Sequence, residues 1–268
     1  MWRIIKKIKL LKNNRKKRVP HGDTHAPFFI LGCVRSGTTL LRNILRMHPR
    51  LECPEETHFF RWGDPFGTPR YLSLLDNPLM KKHMQMDGIS PGEFEDILSR
   101  SKTKKDLAEN YGRLFLEKKD NSTGRWFDKT PQNVYGLLEL SALFPESKFI
   151  HIVRNPLNVV SSLIEGKVMP PHSLRASINY WMESMLIINE YKGIGAHRLY
   201  EVTYENLTNH PEDTVSDILQ FVDEDPSALK LPANMVHIEQ NKYRQLLKPE
   251  DVSEVRRMCD AYMARYGY

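Results

Sequence analysis

The sequence of 268 residues predicts an α/β protein in which a parallel sheet is flanked by helices and carries a mostly helical insertion. Short apolar runs alternate along the chain with segments of helical apolar spacing, the order expected for strand–helix–strand units. Apolar residues make up 40% of the chain and charged residues 27%, which are ordinary proportions for a globular protein with a sizeable core. The length fits one domain, because a parallel sheet can grow by adding strands.

The first strand and the first helix are joined by a tight turn. The apolar run at 27–32 is bounded by turn residues, which is typical of a buried parallel strand. Helical apolar spacing begins at Thr38 and stops before Pro49, because the residue before a proline is disfavoured in a helix. The next predicted elements are a short strand at 51–53, a turn at Pro54 and a helix that starts with Glu55 and Glu56.

Residues 63–120 differ in composition from the segments on either side. They are rich in glycine, proline, methionine and charge, with helical patterns after Ser90 and at 105–119. We interpret this segment as a mostly helical insertion. Such an insertion can shape a ligand pocket or serve only for packing, and the sequence leaves both alternatives open.

The second half of the chain repeats the strand–helix order. Alternating strands and helices imply right-handed crossovers and therefore a parallel sheet. We expect a basic tail at 1–24 and a single domain at 25–268 that contains the insertion. The predicted elements are strands at 125–127, at 148–153 and within 197–207, and helices at 132–143, from Pro156, at 174–191, at 209–222 and at 248–267.

The formal net charge of +6 comes from one end of the chain. Residues 1–20 hold nine Lys or Arg and no acid, which leaves 30 basic against 33 acidic residues in the remainder. The basic character is therefore a terminal tail and not a groove for nucleic acid. The tail fits a solvated basic end or a short amphipathic segment on anionic lipid, and both alternatives stay open.

No membrane span is predicted, since no apolar stretch approaches the roughly 20 residues that a span needs. No signal peptide is predicted either, because lysines interrupt the N-terminal apolar run too often. The three cysteines, Cys33, Cys53 and Cys259, are widely spaced and lack a CxxC pair. This pattern argues against a disulfide framework and against a zinc site. We expect a reducing, cytoplasmic location, with peripheral membrane contact through the tail as the open alternative.

The turn after the first strand, GCVRSGTT at 32–39, matches both glycines of the P-loop pattern GxxxxGK[ST] but has Thr38 in place of the lysine. Backbone N–H groups of such a turn and of the following helix N-terminus form an anion-binding nest. Arg35 can supply the missing positive charge. The sequence thus predicts a P-loop-type sheet that binds an anion.

A second strand, FIHIVRNP, ends in Arg154 at the point where nucleotide triphosphatases carry an acid that holds a metal ion. An arginine there attracts a further anionic group and repels a metal. Two anion sites at the carboxyl edge of one sheet favour a nucleotide with phosphates at both ends, used without magnesium. We therefore expect no metal site.

Three motifs resemble those of the sulfotransferases that use 3′-phosphoadenosine 5′-phosphosulfate (PAPS), in particular the branch of the tyrosylprotein sulfotransferases and their bacterial relatives. RSGTTLLRNILRMHPRLECPEET is similar to that branch's 5′-phosphosulfate loop, helix and catalytic turn, and KFIHIVRNPLNVVSSL is similar to its 3′-phosphate motif. DKTPQN resembles the segment that carries a catalytic lysine. The similarity covers most of residues 28–222 in order and is weak through the insertion.

The resemblance implies a direct in-line transfer of the sulfuryl group from PAPS to a hydroxyl acceptor. It implies that Glu56 is the general base and that Arg35 and Lys129 stabilise the leaving phosphate. His58 is a weaker candidate for the base, and the two glutamates can instead serve only to favour a helix N-terminus. The implied cofactor-binding residues are Arg35, Ser36, Gly37, Thr38, Thr39, Arg154, Ser162 and Tyr204. Lys167 can substitute for a second arginine of the family pattern, and Lys242 is either part of a late loop over the cofactor or a solvated lysine.

The resemblance to the animal tyrosylprotein enzymes implies a cysteine near the catalytic turn paired with one beside the catalytic lysine. This chain departs from that pattern. Cys53 has no cysteine near Lys129, which supports the cytoplasmic expectation and speaks against a secreted-protein substrate. The acceptor stays open among a carbohydrate, a lipid, a small molecule and a peptide tyrosine, and no nucleic acid partner is expected. The alternative functions are a P-loop small-molecule kinase, which the absent lysine and Arg154 disfavour, and a non-catalytic nucleotide-binding module.

Overall fold

The computed structural model describes residues 26–168, 173–232 and 234–268, and the predicted basic tail at 1–24 lies outside these ranges. Five strands form one sheet in the order β2-β3-β1-β4-β5, and every neighbouring pair is parallel. The predicted parallel sheet is therefore confirmed. The strands are β1 Phe28–Leu31, β2 Leu51–Glu52, β3 Arg125–Lys129, β4 Phe149–Val153 and β5 Leu199–Thr203.

The carboxyl ends of the strands lie at one edge of the sheet because all the strands point the same way. Ile30 of β1 is in register with Lys129 of β3, and Leu31 is in register with His151 of β4. The sheet extends from β1 to β3 on one side and to β4 on the other, so the strand order reverses at β1. Open parallel sheets bind ligands in the crevice at such a reversal.

Helices connect the strands and cover both faces of the sheet. None of the helices in the described ranges combines the length and the apolar character that crossing a membrane requires. The helices are α1 Thr38–Leu45, α2 Pro69–Leu75, α3 Pro78–Met86, α4 Pro91–Arg100, α5 Lys104–Lys118, α6 Leu137–Leu143, α7 Pro156–Glu165, α8 Leu174–Gly195, α9 Tyr204–Asn209, α10 Pro211–Phe221, α11 Tyr243–Leu246 and α12 Pro249–Tyr266.

Helices α2 to α5 lie between β2 and β3 and confirm the predicted helical insertion. Each of the four starts after a short polar residue whose side chain accepts a hydrogen bond from the first turn, which satisfies a donor that the helix itself leaves unpaired. The local sequence therefore fixes where these helices begin. The four capping residues are Thr68, Asn77, Ser90 and Thr103.

The core lies on both faces of the sheet, because alternate residues of a strand point to opposite sides. Phe28 and Ile30 of β1 are buried with apolar residues of α1 and α10, whereas Phe29 and Leu31 are buried with residues of the insertion. A third apolar cluster surrounds Trp181 of α8 and joins that helix to α7 and α12. These contacts hold the first strand, and with it the glycine-rich turn, at the centre of the molecule.

The prediction of a helix that starts at Glu55 is wrong. Residues 53–58 form an irregular turn, and His58 has a φ of +55°, which an α-helix of L-residues does not contain. The Thr57 N–H donates to the Thr130 hydroxyl at 3.0 Å. A hydrogen bond across the fold thus replaces the bonds of a helical turn.

Strand β3 runs to Lys129, two residues beyond its predicted end at Phe127, because the pairing with β1 continues to the Ile30–Lys129 register. The helix predicted at 132–143 begins instead as the 3₁₀ segment Pro131–Gly136 and becomes α-helical only in α6. A Cβ atom at Gly136 would lie 1.9 Å from the Phe60 carbonyl oxygen. The close approach of these two backbone segments therefore requires glycine there.

Candidate active site

Two glycines shape the turn between β1 and α1. Gly32 has a φ of +142°, and a Cβ atom there would lie 2.8 Å from the Ile152 carbonyl oxygen. Gly37 has a φ of +96°, and its Cβ would lie 2.2 Å from the Tyr204 ring. Neither position accepts a larger residue without movement of its neighbours. The turn is therefore held between β4 and the Tyr204 side chain.

The amino end of α1 lies at the carboxyl edge of the sheet. Its N-cap residue, Gly37, offers no side-chain cap, so the first-turn N–H groups can serve an anion. The Ser36 N–H is different, because it donates to the Cys33 carbonyl at 3.3 Å. The Ser36 hydroxyl is buried and has no hydrogen-bond partner within the described residues. Thr38 is buried in this first turn, and Thr39 is exposed.

The two predicted anion sites are adjacent in the structure. Arg35 Nε donates to the Ser162 hydroxyl at 2.9 Å, and Arg154 donates to the Arg35 backbone carbonyl at 3.0 Å. Arg154 follows the end of β4, and Ser162 lies on α7. Three residues that the sequence places in two separate motifs therefore meet at one end of the crevice.

Arg154 is paired with a carboxylate that the motifs did not reveal. Its Nε donates to Glu239 Oε2 at 2.7 Å, and its guanidinium carbon lies 4.4 Å from the centre of the Tyr204 ring. The side chains of Arg154 and Glu239 are 18% and 9% exposed. A carboxylate thus sits on the cationic end where the resemblance places a 3′-phosphate. Sequence reasoning missed Glu239 because it lies 85 residues from its partner and belongs to no motif.

Lys129 and Glu56 form an ion pair at the carboxyl end of β3. The Lys129 side chain is only 2% exposed, whereas that of Glu56 is 24% exposed and accessible to a ligand. The Lys129 ammonium also lies 3.4 Å from the Thr39 hydroxyl on α1. The predicted base and the predicted lysine therefore lie together beside the first turn of α1.

The neighbouring carboxylates of Glu55 and Glu56 have different environments. Glu55 accepts a hydrogen bond from Arg42 at 2.6 Å and lies 3.4 Å from Arg46. Burial opposes the charged form, but the two arginines outweigh it and hold the pKa of Glu55 below its usual value. Glu55 is thus fixed as a structural carboxylate, and Glu56 is the one beside Lys129.

His58 lies 3.7 Å from the Glu56 carboxylate. Burial, and after it the nearby Arg61 and His83, lower the pKa of His58 to about 3, so the imidazole is neutral at neutral pH. Neither of its ring nitrogens has a hydrogen-bond partner within the described part of the chain. A group with so low a pKa is a weak base, which favours Glu56 over His58.

Asp128 anchors the irregular turn to β3. Its Oδ2 accepts from the Thr57 hydroxyl at 2.5 Å, and its Oδ1 accepts from the Asn133 amide at 2.9 Å. Burial raises the pKa of Asp128 to about 6 despite the hydrogen bonds that lower it. The residue next to Lys129 is therefore a buried carboxyl group that changes its charge slightly below neutral pH.

Two further candidate lysines of the sequence have exposed side chains. Lys242 is exposed beside the start of α11, and Lys167 is exposed after the end of α7 with a φ of +46°. Their assignment to the nucleotide stays a prediction.

The parallel sheet, its flanking helices and its glycine turn define a P-loop-type α/β protein. Residues 27–227 match the protein-family model described as the sulfotransferase family. This match spans most of the chain, and the chain therefore belongs to the sulfotransferase family. The resemblance that the sequence motifs indicate is confirmed.

Protein-tyrosine sulfotransferase 2 of Gallus gallus is 30% identical over 202 residues, which are 72% of this chain and 50% of the relative. The protein-tyrosine sulfotransferase of Drosophila melanogaster is 26% identical over 225 residues, which are 82% of this chain and 42% of the relative. The chain thus spans half or less of the length of these curated relatives. Both names agree with the tyrosylprotein branch.

A solved structure shows the same fold. The sulfotransferase domain from the Synechococcus PCC 7002 olefin synthase has a TM-score of 0.61 to this chain at 24% identity. The match covers 90% of this chain and 91% of that domain. The arrangement of the strands and helices is therefore shared over nearly the whole length of both chains.

Proposed function

We propose that the chain transfers a sulfuryl group from PAPS to a hydroxyl acceptor. One observation carries the proposal: the Lys129–Glu56 pair lies beside Thr39 at the start of α1, at the sheet edge that also carries Arg35 and Arg154. A base, a buried cation and an anion-binding helix end are thus combined at the carboxyl edge of one parallel sheet. Membership of the sulfotransferase family supports the same reaction.

The residues at the donor end fit a nucleotide with two phosphate groups. Arg154 already holds a carboxylate in a largely buried ion pair, so it accepts an anion where we place the 3′-phosphate. Ser162 is tied to Arg35 and would contact the same group. The uncapped amino end of α1 would receive the 5′-phosphate, as helix N-termini do. Tyr204 packs against both Arg154 and Gly37, which places an aromatic ring between the two ends.

The residues at the acceptor end fit proton removal and charge stabilisation. Glu56 would take the proton of the acceptor hydroxyl while the hydroxyl oxygen bonds to sulfur. The bond from sulfur to the bridging oxygen of the donor would break in the same step. Lys129 and Arg35 would stabilise the negative charge that develops on that bridging oxygen. In the structure Lys129 neutralises Glu56, so neither charge is left unpaired.

We propose that these two cations take the place of a metal ion in the reaction. Arg154 supports this, because it follows β4 where a nucleotide triphosphatase would present a metal-binding acid.

Our first candidate for the acceptor is a phenolic hydroxyl, because the two curated relatives are named protein-tyrosine sulfotransferases. A cytoplasmic location stays a prediction that rests on the number and spacing of the three cysteines in the sequence.

Transfer from radiolabelled PAPS to a panel of tyrosine peptides, carbohydrates, lipids and small alcohols tests the proposal. We expect labelled product without added magnesium.

Glu56→Gln should abolish transfer, because the amide cannot accept the proton. The variant should still bind 3′-phosphoadenosine 5′-phosphate (PAP). The control variant Glu95→Gln, at an exposed position of the insertion, should keep the transfer. Magnesium-dependent turnover of ATP without any sulfated product would favour the kinase, and PAP binding without transfer would favour a binding module.

A further inference from the structure

The turn that carries Glu56 has no regular secondary structure, so its backbone groups need partners from elsewhere in the fold. On the sheet side, the Thr57 N–H donates to the Thr130 hydroxyl at 3.0 Å and the Thr57 hydroxyl donates to Asp128. These contacts fix the residue after Glu56. They leave the Glu55 N–H and the Glu56 carbonyl oxygen to be held by another element.

That element is the third helix, α3, of the insertion. The Glu55 N–H donates to Asp87 Oδ1 at 2.8 Å, and the Glu56 carbonyl oxygen lies 2.8 Å from His83 Nδ1. His83 lies in the last turn of α3 and Asp87 is its C-cap, so the two residues are four apart and share one face of the helix. The dipeptide that contains the proposed base is therefore bonded at both of its ends to one helical turn.

Both partners are themselves fixed. Asp87 is 4% exposed, and its Oδ2 accepts from the Tyr111 hydroxyl of α5 at 2.7 Å. His83 Nδ1 carries a proton, because a backbone carbonyl can only accept a hydrogen bond. The His83 ring is stacked on that of His58, with centroids 5.7 Å apart and planes 16° apart. A continuous set of contacts thus runs from α5 through α3 to the turn.

We propose that His83 is a positioning residue for Glu56, and that His83 and Asp87 together form a clamp that sets the place of the Glu56 carboxylate relative to Lys129. The inference rests on the proposed function and deepens it. It gives the insertion a definite role, which the sequence left open between pocket formation and packing. Because proton transfer needs the base within hydrogen-bond distance of the acceptor hydroxyl, a small displacement of Glu56 has a large effect on the rate.

Three variants of α3 separate positioning from packing. His83→Phe keeps a ring that can stack on His58 but removes the Nδ1–H donor. His83→Asn keeps a donor near the same place, since an Asn amide can reach where Nδ1 lies. Gln85→Ala changes an exposed residue of the same helix and serves as the control. The measurements are kcat, the KM for PAPS, the Kd of PAP, and hydrogen–deuterium exchange of the segment 53–60 in the full chain without substrate.

We expect His83→Phe to lower kcat by roughly 10- to 100-fold, with the Kd of PAP unchanged, because the donor end of the site is not altered. Exchange at 53–60 should become faster in this variant. His83→Asn should restore most of kcat and the slow exchange, and Gln85→Ala should match the wild type in both.

Two results would overturn the clamp. One is a His83→Phe variant with wild-type kcat and wild-type exchange, which would indicate that packing alone matters. The other is an equal loss in His83→Phe and His83→Asn, because the donor that Asn restores would then have no effect. The exchange experiment needs no transfer and decides the clamp even if the wild type sulfates nothing. A wild type that transfers no label to any acceptor would instead count against the proposed function.

Discussion

At the residue scale, the Arg154–Glu239 pair sets a condition on donor binding. The two side chains are largely buried and bonded at 2.7 Å, so a 3′-phosphate must displace the carboxylate before it reaches the guanidinium. Glu239 Oε1 also accepts from the Asn241 N–H at 3.0 Å, which holds the carboxylate in place. Glu239 therefore competes with the phosphate that we propose.

Glu239→Gln is expected to tighten PAP binding by roughly three- to tenfold. A charge-assisted hydrogen bond contributes about 1.5–3 kcal/mol, and partial exposure and the remaining amide contact reduce what is gained. Titration calorimetry of the wild type and the variant measures the change. Glu250→Gln, an exposed change in α12, should leave the Kd as it is. Weaker binding in Glu239→Gln would mean that the carboxylate shapes the site instead of competing with the ligand.

Asp128 gives a pH dependence to stability. The pKa of this buried carboxyl is raised to about 6, whereas the pKa of an Asp in an unfolded chain is about 3.9. The folded state therefore binds the proton more tightly, and the stability that this proton contributes is present below about pH 4 and lost as the pH rises through about 6.

Asp128→Asn cannot titrate and should lose this dependence. We expect the free energy of unfolding of the wild type, relative to that of the variant, to fall by roughly 1–3 kcal/mol between pH 4 and pH 7. Urea denaturation at a series of pH values measures it. Asp96→Asn, at an exposed position, should run parallel to the wild type. A difference that grows with rising pH would show that the charged form of Asp128 is the favoured one.

At the element scale, the strands and the glycine turn were predictable because local pattern determines them. The run at 27–32 is apolar and bounded by turn residues, and the observed strand covers most of it. The helix predicted at Glu55 failed because tertiary contacts decide that segment: Asp87 and Thr130 take up the N–H groups that a helix would otherwise bond. Two acids after a proline are typical of a helix start, and nothing nearby in sequence signals the competing partners.

The residues of the candidate site also divide into those that the local sequence pattern predicts and those that it does not. Arg35, Lys129 and Arg154 each follow or end a strand, so their convergence at one edge follows from the parallel order of the strands. Glu239 and His83 were not predictable, because each acts through a contact with a residue distant in sequence. Residues that complete a site from outside its motifs leave no local pattern.

The turn before α1 should not tolerate a side chain at Gly37. Its φ of +96° is unfavourable for L-residues, and a Cβ atom would lie 2.2 Å from the Tyr204 ring. We expect Gly37→Ala to lower the free energy of unfolding by about 1–3 kcal/mol and to weaken PAP binding, because the Tyr204 ring must move. Chemical denaturation and calorimetry measure the two effects.

Gly63→Ala is the matched control for the glycine turn. Among the described residues, no heavy atom outside Gly63 and its two chain neighbours lies within 4 Å of the Cβ that this change would add. Its effect on stability should stay within about 0.5 kcal/mol. Unchanged stability and unchanged PAP binding in Gly37→Ala would contradict the close packing of the turn against Tyr204.

At the scale of the whole molecule, the site combines parts that belong to different layers. The sheet supplies Lys129 and the residues that follow its strands, helix α1 supplies the amino end that we propose for the 5′-phosphate, and the insertion contacts the turn of Glu56. A ligand that spans this edge would contact several layers at once. Its binding should therefore stabilise the entire fold, because any ligand that binds only the folded state shifts the unfolding equilibrium.

This stabilisation by a bound ligand tests whether Arg154 binds the 3′-phosphate. PAP at 100 times its Kd should raise the free energy of unfolding by about 2.7 kcal/mol, seen as a higher Tm. Adenosine 5′-phosphate, which lacks the 3′-phosphate, should stabilise much less at the same concentration. Arg154→Ala should remove most of the difference between the two nucleotides, since it removes the cation that we assign to the 3′-phosphate. Arg175→Ala, whose side chain is 70% exposed, should preserve the difference. Equal stabilisation of the wild type by both nucleotides would contradict the assignment of Arg154, whatever the acceptor proves to be.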